Sequence, residues 1–339
     1  MKRWYFWVGL LISAFFLFIA LRGLHLDQVW GAIASARLIW LLPGILVYFL
    51  AVLTRAWRWH FLLRPIEQIP PLGMFPIVAI GYMGNNIYPA RAGELVSALV
   101  LKRRHQVPVS ASLATILVER IFDGVVMLSF LFFNLFQLNH FVTQSGFIGL
   151  LRSLAFWGSA LFIGLLVIFL AIASAPHKAD HILTSISGAV LPEKWRTGAQ
   201  QVIQRFIQGF GALRSPGEVL TVFAVSICIW LIETCFYWFV MAAFPFNVSF
   251  FTLMLLLGVV NLATTLPSAP GYIGTFDAMS IAFLTAAGVS PELSAGFTLL
   301  MHAALWLPIT ALGLYFFTRE GLSWSKDLAG VAGQKGINL

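Results

Sequence analysis

A chain of 339 residues that is 60% hydrophobic and only 10% charged lies outside the soluble globular class, where about 25% of residues carry charge. Its net charge of +8 belongs to basic residues kept on the cytoplasmic loops of a membrane protein, not to a nucleic-acid-binding surface. The two cysteines, Cys228 and Cys235, fall two helical turns apart on one predicted helix, roughly 10 Å and too far for a disulfide, and read as packing residues.

The N-terminal stretch MKRWYFWVGLLISAFFLFIALRGL begins like a secretory signal. Its apolar core is too long and no small-x-small site follows, so a retained first helix over 4–22 is expected. Five more full spans are predicted over 38–62, 111–135, 150–174, 218–244 and 295–317. The loop after the first span holds one acid, Asp27. In the second span, His60 beside Arg58 and Trp59 reads as interfacial, within an aromatic belt.

Two further apolar stretches, 71–101 and 251–288, are interrupted by YPARAGE and LPSAPGYIGTFD. Each is long enough to enter the membrane, turn and leave by the same face. Lys2 and Arg3 place the N-terminus in the cytoplasm. With both interrupted stretches re-entrant, Arg64, the KRRH run at 102–105, the basic residues between 178 and 214, and a tail with Arg319, Lys326 and Lys335 share that side. The outside then keeps only Arg22, Arg37 and Arg152. A multi-pass protein of the cell (inner) membrane with both termini cytoplasmic follows. The segment over 177–215 has apolar residues at helical spacing opposite basic ones. It suits either an amphipathic arm on the inner leaflet or a packing arm between helices.

The chain reads as one all-α transmembrane domain, 1–339, built on an internal repeat over 38–135 and 218–317. Pro89 precedes Gly93 by four residues, as Pro267 precedes Gly271. Arg55 lies 34 residues before Pro89, and Glu233 lies 34 before Pro267. After each break comes a similar start, SASLATILVER and SAGFTLLMH, with about five residues inserted in the second copy. In the topology above the two copies run in opposite directions, an inverted repeat.

Ionisable groups at the bilayer centre cost roughly 2.5–3.5 kcal/mol each on insertion scales, yet this chain places eight in or near its membrane segments. They are Arg55, Arg91, Glu94, Glu119, Arg120, Asp123, Glu233 and Asp277, three positive and five negative. Arg91 and Glu94 are spaced to pair along a helix, as are Arg120 and Asp123, and Glu119 shares a face with Asp123. Irregular backbone at membrane depth persists only where protein buries it or water lines it, so NNIYPARAGE reads as the floor of a hydrophilic cavity. Asn85 and Asn86 offer hydrogen bonds there, and Arg91 offers a cation suited to phosphate. His302 in the last span reads as a hydrogen-bonded core histidine or a proton relay.

The runs NNIYPARAGELVSALVLKRR, SLATILVERIFDGVVML and LPSAPGYIGTFDA resemble the flippase-like family built on the transmembrane region of lysylphosphatidylglycerol synthases, the membrane part of the multiple peptide resistance factor. The resemblance spans roughly residues 5–320. It implies an inverted-repeat fold with two re-entrant elements and a role in moving lipids between leaflets. By the match, Arg91, Glu94, Glu119, Arg120, Asp123, Pro270, Gly271 and Gly274 occupy the family's characteristic positions. The soluble aminoacyl-transferase domain of the synthases has no counterpart after the last predicted span, so lysine transfer is not expected from this chain.

The function expected is therefore a lipid flippase or scramblase-like transporter, with Arg55, Arg91 and Arg120 as headgroup contacts for a phospholipid or polyprenyl phosphate. No nucleotide-binding G-x-x-x-x-G-K-[ST] motif is present, so uphill transport would couple to protons, ions or the membrane potential, with Glu94, Glu119, Asp123 and Asp277 as candidate proton carriers. No cofactor or metal is expected. A non-transporting partner of a lipid or glycolipid biosynthetic enzyme is the alternative. An intramembrane lipid-modifying enzyme is a further one, although no catalytic signature for it stands in the sequence.

Overall fold

The structure, a computed structural model, describes residues 21–88, 91–134, 215–264 and 269–320, with scattered positions in 11–19 and 149–213. The predicted spans over 4–22 and 150–174, the 177–215 arm, and both Pro89 and Pro267 thus fall wholly or largely outside the described residues. Every regular element among the described residues is helical.

A short helix α1 (Leu26–Ala34) is the first element described in full, followed by a 3-10 turn (Leu38–Trp40) leading into α2 (Leu41–Leu63). The first broken stretch becomes α3 (Pro71–Ile87) and α4 (Ala92–His105), and α5 (Val109–Phe133) follows. The second series consists of α6 (Pro216–Ala242), α7 (Phe250–Ala263), a 3-10 turn (Pro270–Tyr272), α8 (Thr275–Ala286) and α9 (Pro291–Arg319). Leu38–Leu63, Gly217–Ala242 and Pro291–Arg319 are long and apolar enough to cross a membrane. At 25 residues, α5 is of similar length but carries Glu119, Arg120 and Asp123 in its middle.

Local chemistry sets the helix ends. Ser215, Ser249 and Ser290 cap α6, α7 and α9 with their hydroxyls, and Pro stands at the first helical position of α3, α6 and α9, where its missing N–H costs nothing. The loop expected around Asp27 is instead the helix α1. Its Val29 is buried while Leu26 and Trp30 are exposed, and the helix packs along α9, where Gly296 admits Ala32. Two turns were too short for the periodicity to stand out in an apolar surround.

The two series correspond element by element: 23 and 27 residues for α2 and α6, 17 and 14 for α3 and α7, 14 and 12 for α4 and α8, and 25 and 29 for α5 and α9. Their packing exchanges in the same way. The helix α3 lies on α9, as α7 lies on α5, while α2 and α6 lie on each other. A large apolar core joins both series through Tyr48, Phe122, Phe236, Tyr237, Phe283 and Phe297.

Candidate functional site

Each series is interrupted at a comparable place. Tyr88, ahead of Pro89, is extended, as a residue preceding proline must be, and Arg91 adopts the left-handed conformation (φ 54°, ψ 34°) as the N-cap of α4. In the second series Gly271 and Tyr272 are both left-handed, and Gly274 caps α8 with φ 89°. A left-handed Arg and Tyr are uncommon and costly, and such backbone concentrates at functional sites. Glu94 and Asp277 are each the third residue of the helix that follows, near the positive end of its dipole. The carboxylate of Asp277 accepts the Gly274 N–H at 2.9 Å.

Between the breaks lies a cavity of about 180 Å³. Of the residues singled out in the sequence, Arg55, Asn85, Asn86, Arg91, Glu94, Glu119, Arg120, Glu233 and Gly271 line it. Asp123 and Asp277 stand behind the wall, each bonded to a lining side chain. Pro270 and Gly274 shape the second break without lining the cavity. Asn85 accepts the Gly93 N–H at 2.9 Å, and Asn86 donates to Thr310 at 2.8 Å, so these amides tie the first break to α4 and α9.

The deepest charge is one the sequence reading left at the interface. Arg58 is 1% exposed and holds three partners. Its Nη1 and Nη2 donate to the two carboxylate oxygens of Asp123 at 2.6 and 3.2 Å, its Nε to Glu119 at 3.2 Å, and Nη1 also to Ser226 at 2.7 Å. Trp230 donates its indole N–H to the same Asp123 oxygen at 3.0 Å. Of the aromatic belt predicted there, Trp57 is exposed but Trp59 is buried and donates to Thr115, while His60 is half-buried and bonds the Ile69 carbonyl. The signal was available: Arg58 is three residues from Arg55, one turn along the same face.

The other charges form two groups. Arg55 meets Glu233 at 2.7 Å, both buried, with the guanidinium 4.8 Å from the centre of the Trp230 ring. Arg120 lies 3.1 Å from Glu94 and 3.6 Å from Asp123, and Arg91 is 3.9 Å from Glu94. The predicted Arg91–Glu94 pair is thus the longest contact of the set, and Glu94 sits closer to Arg120. The Arg91 side chain remains 31% exposed, with its guanidinium 5.7 Å from the Tyr272 ring centre. Four arginines therefore face four carboxylates around the cavity, and the fifth acid, Asp277, pairs with His302 at 2.7 Å.

Removing one partner of the Arg55–Glu233 pair strands a buried charge, and hydrogen bonds to charged groups contribute about 1.5–3 kcal/mol. Arg55→Leu and Glu233→Leu should each lower the thermal midpoint in detergent, and the double variant should recover most of the loss. Additive losses in that cycle would show that the two side chains do not act as a pair.

Sequence comparison takes in this region with nearly all of the chain. The family description of the lysylphosphatidylglycerol synthase transmembrane region matches residues 6–313. A UPF0104 membrane protein of Methanothermobacter thermautotrophicus is 23% identical over 318 residues, 89% of this chain and 91% of the relative. One of Methanocaldococcus jannaschii is 22% identical over 314 residues, 90% and 91% of the two chains. The glycosyltransferase AglD of Haloferax volcanii is 24% identical over 324 residues, 87% of this chain but only 51% of that protein. No solved structure matches. With a match that takes in all the helices bearing the cavity charges and nearly the whole chain, this membrane protein belongs to the family of the lysylphosphatidylglycerol synthase transmembrane region.

Proposed function

We propose that the protein moves a polar, anionic lipid headgroup, of the phospholipid or polyprenyl-phosphate type, between leaflets through the cavity, as a flippase or scramblase-like transporter. The observation that carries this reading is a graded polar site. Its inner charges, Arg55 and Arg58, are locked in buried pairs, while Arg91, at a helix break, is part-exposed and among the described residues has one ion-pair partner, at 3.9 Å. A helix N-terminus and an arginine together suit a phosphate, and the tails would stay in the bilayer. The family membership supports the setting, and the site calls for no catalytic step.

In this reading the two series are inverted repeats and the broken stretches are re-entrant hairpins, set in the cell membrane with both termini cytoplasmic. The equivalent helices α2 and α6, joined by Arg55 and Glu233, form the axis about which the halves rock to alternate access. The test is to purify the protein gently and identify its co-purifying lipids by mass spectrometry beside Arg91→Ala. We expect one headgroup class to be enriched in the wild type and lost from a variant that elutes and melts normally. A headgroup-labelled analogue of that class should then cross leaflets in proteoliposomes. Bulk lipid in both proteins, with no crossing, would overturn the proposal.

One observation favours a second reading. The glycosyltransferase AglD has about half its length outside the matched region, so a chain like this one would serve as membrane partner to a lipid-glycosylating enzyme carried on a separate polypeptide. A partner role predicts that Arg91→Ala leaves the enzyme's product level unchanged.

A further inference from the structure

We propose that Asp277 and His302 form a proton-binding site, and that its proton clamps the second helix break, at Pro270–Tyr272, against α9. The inference rests on the transport reading only where it couples the proton to lipid movement.

The argument is one of donors and acceptors. His302 Nε2 lies 2.8 Å from the Gly271 carbonyl, which can only accept, so Nε2 carries a hydrogen. His302 Nδ1 lies 2.7 Å from Asp277 Oδ1. A bare ring nitrogen facing a bare carboxylate at that distance would set two lone pairs against each other. One proton therefore lies between them, on either atom, and the pair is neutral overall. Both contacts depend on the same ring orientation, since the opposite one would present carbons to both partners. Asp277 is fixed from its other side by the Gly274 N–H. The Phe276 ring, centred 4.6 Å from that of His302, covers the imidazole.

Losing that proton leaves a net charge of −1 in a wall that is otherwise charge-balanced, and one of the two hydrogen bonds must break. Either the remaining hydrogen stays on Nε2 and the imidazole leaves Asp277, or it moves to Nδ1 and the ring releases the Gly271 carbonyl. The backbone it holds is already strained at Tyr272, which is left-handed like Gly271 before it, and beside it the buried Trp306 indole N–H has no hydrogen-bond partner among the described residues. A clamp that opens on proton loss frees this segment.

Among the described residues, the other acids of the wall are already held by arginines. Arg58 and Arg120 hold Glu94, Glu119 and Asp123, and Arg55 holds Glu233. The elements packed on α9 also bring Asp27 of α1, Tyr48 of α2, Tyr82 of α3 and Tyr237 of α6. None of these has a hydrogen bond or ion pair to His302 among the described residues. The spacing gives the contrast a frame: His302 follows Asp277 by 25 residues, as Glu119 follows Glu94. In the first series these positions are tied by permanent arginine charges, while in the second they share a removable proton.

The test uses the full chain, labelled with ¹⁵N-histidine, in nanodiscs. The His302 signals are assigned by their absence in His302→Gln, and the carboxylic-acid infrared band by its absence in Asp277→Asn. At neutral pH we expect either both ring nitrogens protonated or a protonated Asp277 beside a neutral ring, and loss of that one proton as pH rises. In Asp277→Asn the ring should be neutral throughout, because an amide can donate to Nδ1. A neutral ring and an ionised Asp277 together in the wild type at neutral pH would overturn the site; the two variants serve for assignment and must elute as folded protein to do so. In phosphatidylethanolamine–phosphatidylglycerol vesicles, a pH step across the transition should change the rate of labelled-lipid crossing. A rate that ignores the step overturns the coupling, and vesicles in which no lipid crosses overturn the transport reading, while the spectra alone decide the proton site.

Discussion

Replacing Arg58 by methionine should be the most damaging single loss of charge in the chain. The substitution keeps an unbranched stem as far as the Nε position, so what it removes is the charged head of the side chain. It strands Glu119 and Asp123 at once and takes a donor from the Ser226 hydroxyl, which still donates to the Val222 carbonyl, in surroundings where Arg58 is 1% exposed. Breaking a buried ion pair by removing one partner costs about 3–5 kcal/mol, because the remaining charge loses both its solvent and its partner. Two carboxylates share this guanidinium, which sets the expectation at or above that range. Arg120 gives only partial relief, since it reaches Asp123 at 3.6 Å and is already engaged with Glu94. Arg58→Met should therefore aggregate or elute early on size exclusion in mild detergent. Arg58→Lys should keep some folded protein at a lower thermal midpoint, because an ammonium supplies the charge but not the fork that grips both Asp123 oxygens. The triple change Arg58→Met, Glu119→Gln, Asp123→Asn should recover folded protein. A wild-type melting curve for Arg58→Met would show that the cavity is wet enough to solvate both acids.

The sequence made the positions of the breaks legible and left part of their charge partnerships hidden. YPARAGE and LPSAPGYIGTFD, with the matched pairs Pro89–Gly93 and Pro267–Gly271, stand out because proline and glycine in an apolar run have few other physical meanings. Helix-local pairs were legible too, such as Arg120 with Asp123. The Arg58 network was not, because RAWRWHF has the composition of an interfacial belt and only the partners on α5 and α6 pull that turn inward. The Asp277–His302 contact joins α8 to α9, and no periodicity within a helix announces a pair 25 residues apart. The charge ledger did carry a clue. Three cations against five anions is a poor balance for a membrane interior, and Arg58 together with the proton on the Asp277–His302 pair makes up the deficit. The excess of acid was a sign of missing partners.

The second large effect is steric and tests the first break without touching any charge. Gly93 is the second residue of α4, and it faces α3 so closely that a Cβ there would run into the Gly81 carbonyl and would sit 2.5 Å from the Asn85 N and 2.7 Å from its Oδ1. These contacts include backbone of the neighbouring helix, which has no rotamer to yield. Gly93→Ala must push α4 off α3, and in doing so it loosens the Asn85 bond to the Gly93 N–H and shifts Arg91 and Glu94, which flank it. Alanine gains at most about 1 kcal/mol of helix propensity over glycine. Overpacking a tight site costs about 1–3 kcal/mol and more where backbone must move, so the steric term wins. Gly217 is the matched control, because it is likewise the second residue of its helix and a Cβ there meets only the Ser215 hydroxyl at 4.0 Å. Gly217→Ala should melt at or slightly above the wild-type temperature, while Gly93→Ala should melt well below it. Gly93→Ala should also lose the lipid enrichment expected of the wild type even at temperatures where it remains folded, since the cation at the break is no longer held in place. Equal melting of the two variants would mean that α3 and α4 separate without cost, and the first break could not then be the rigid floor of the cavity.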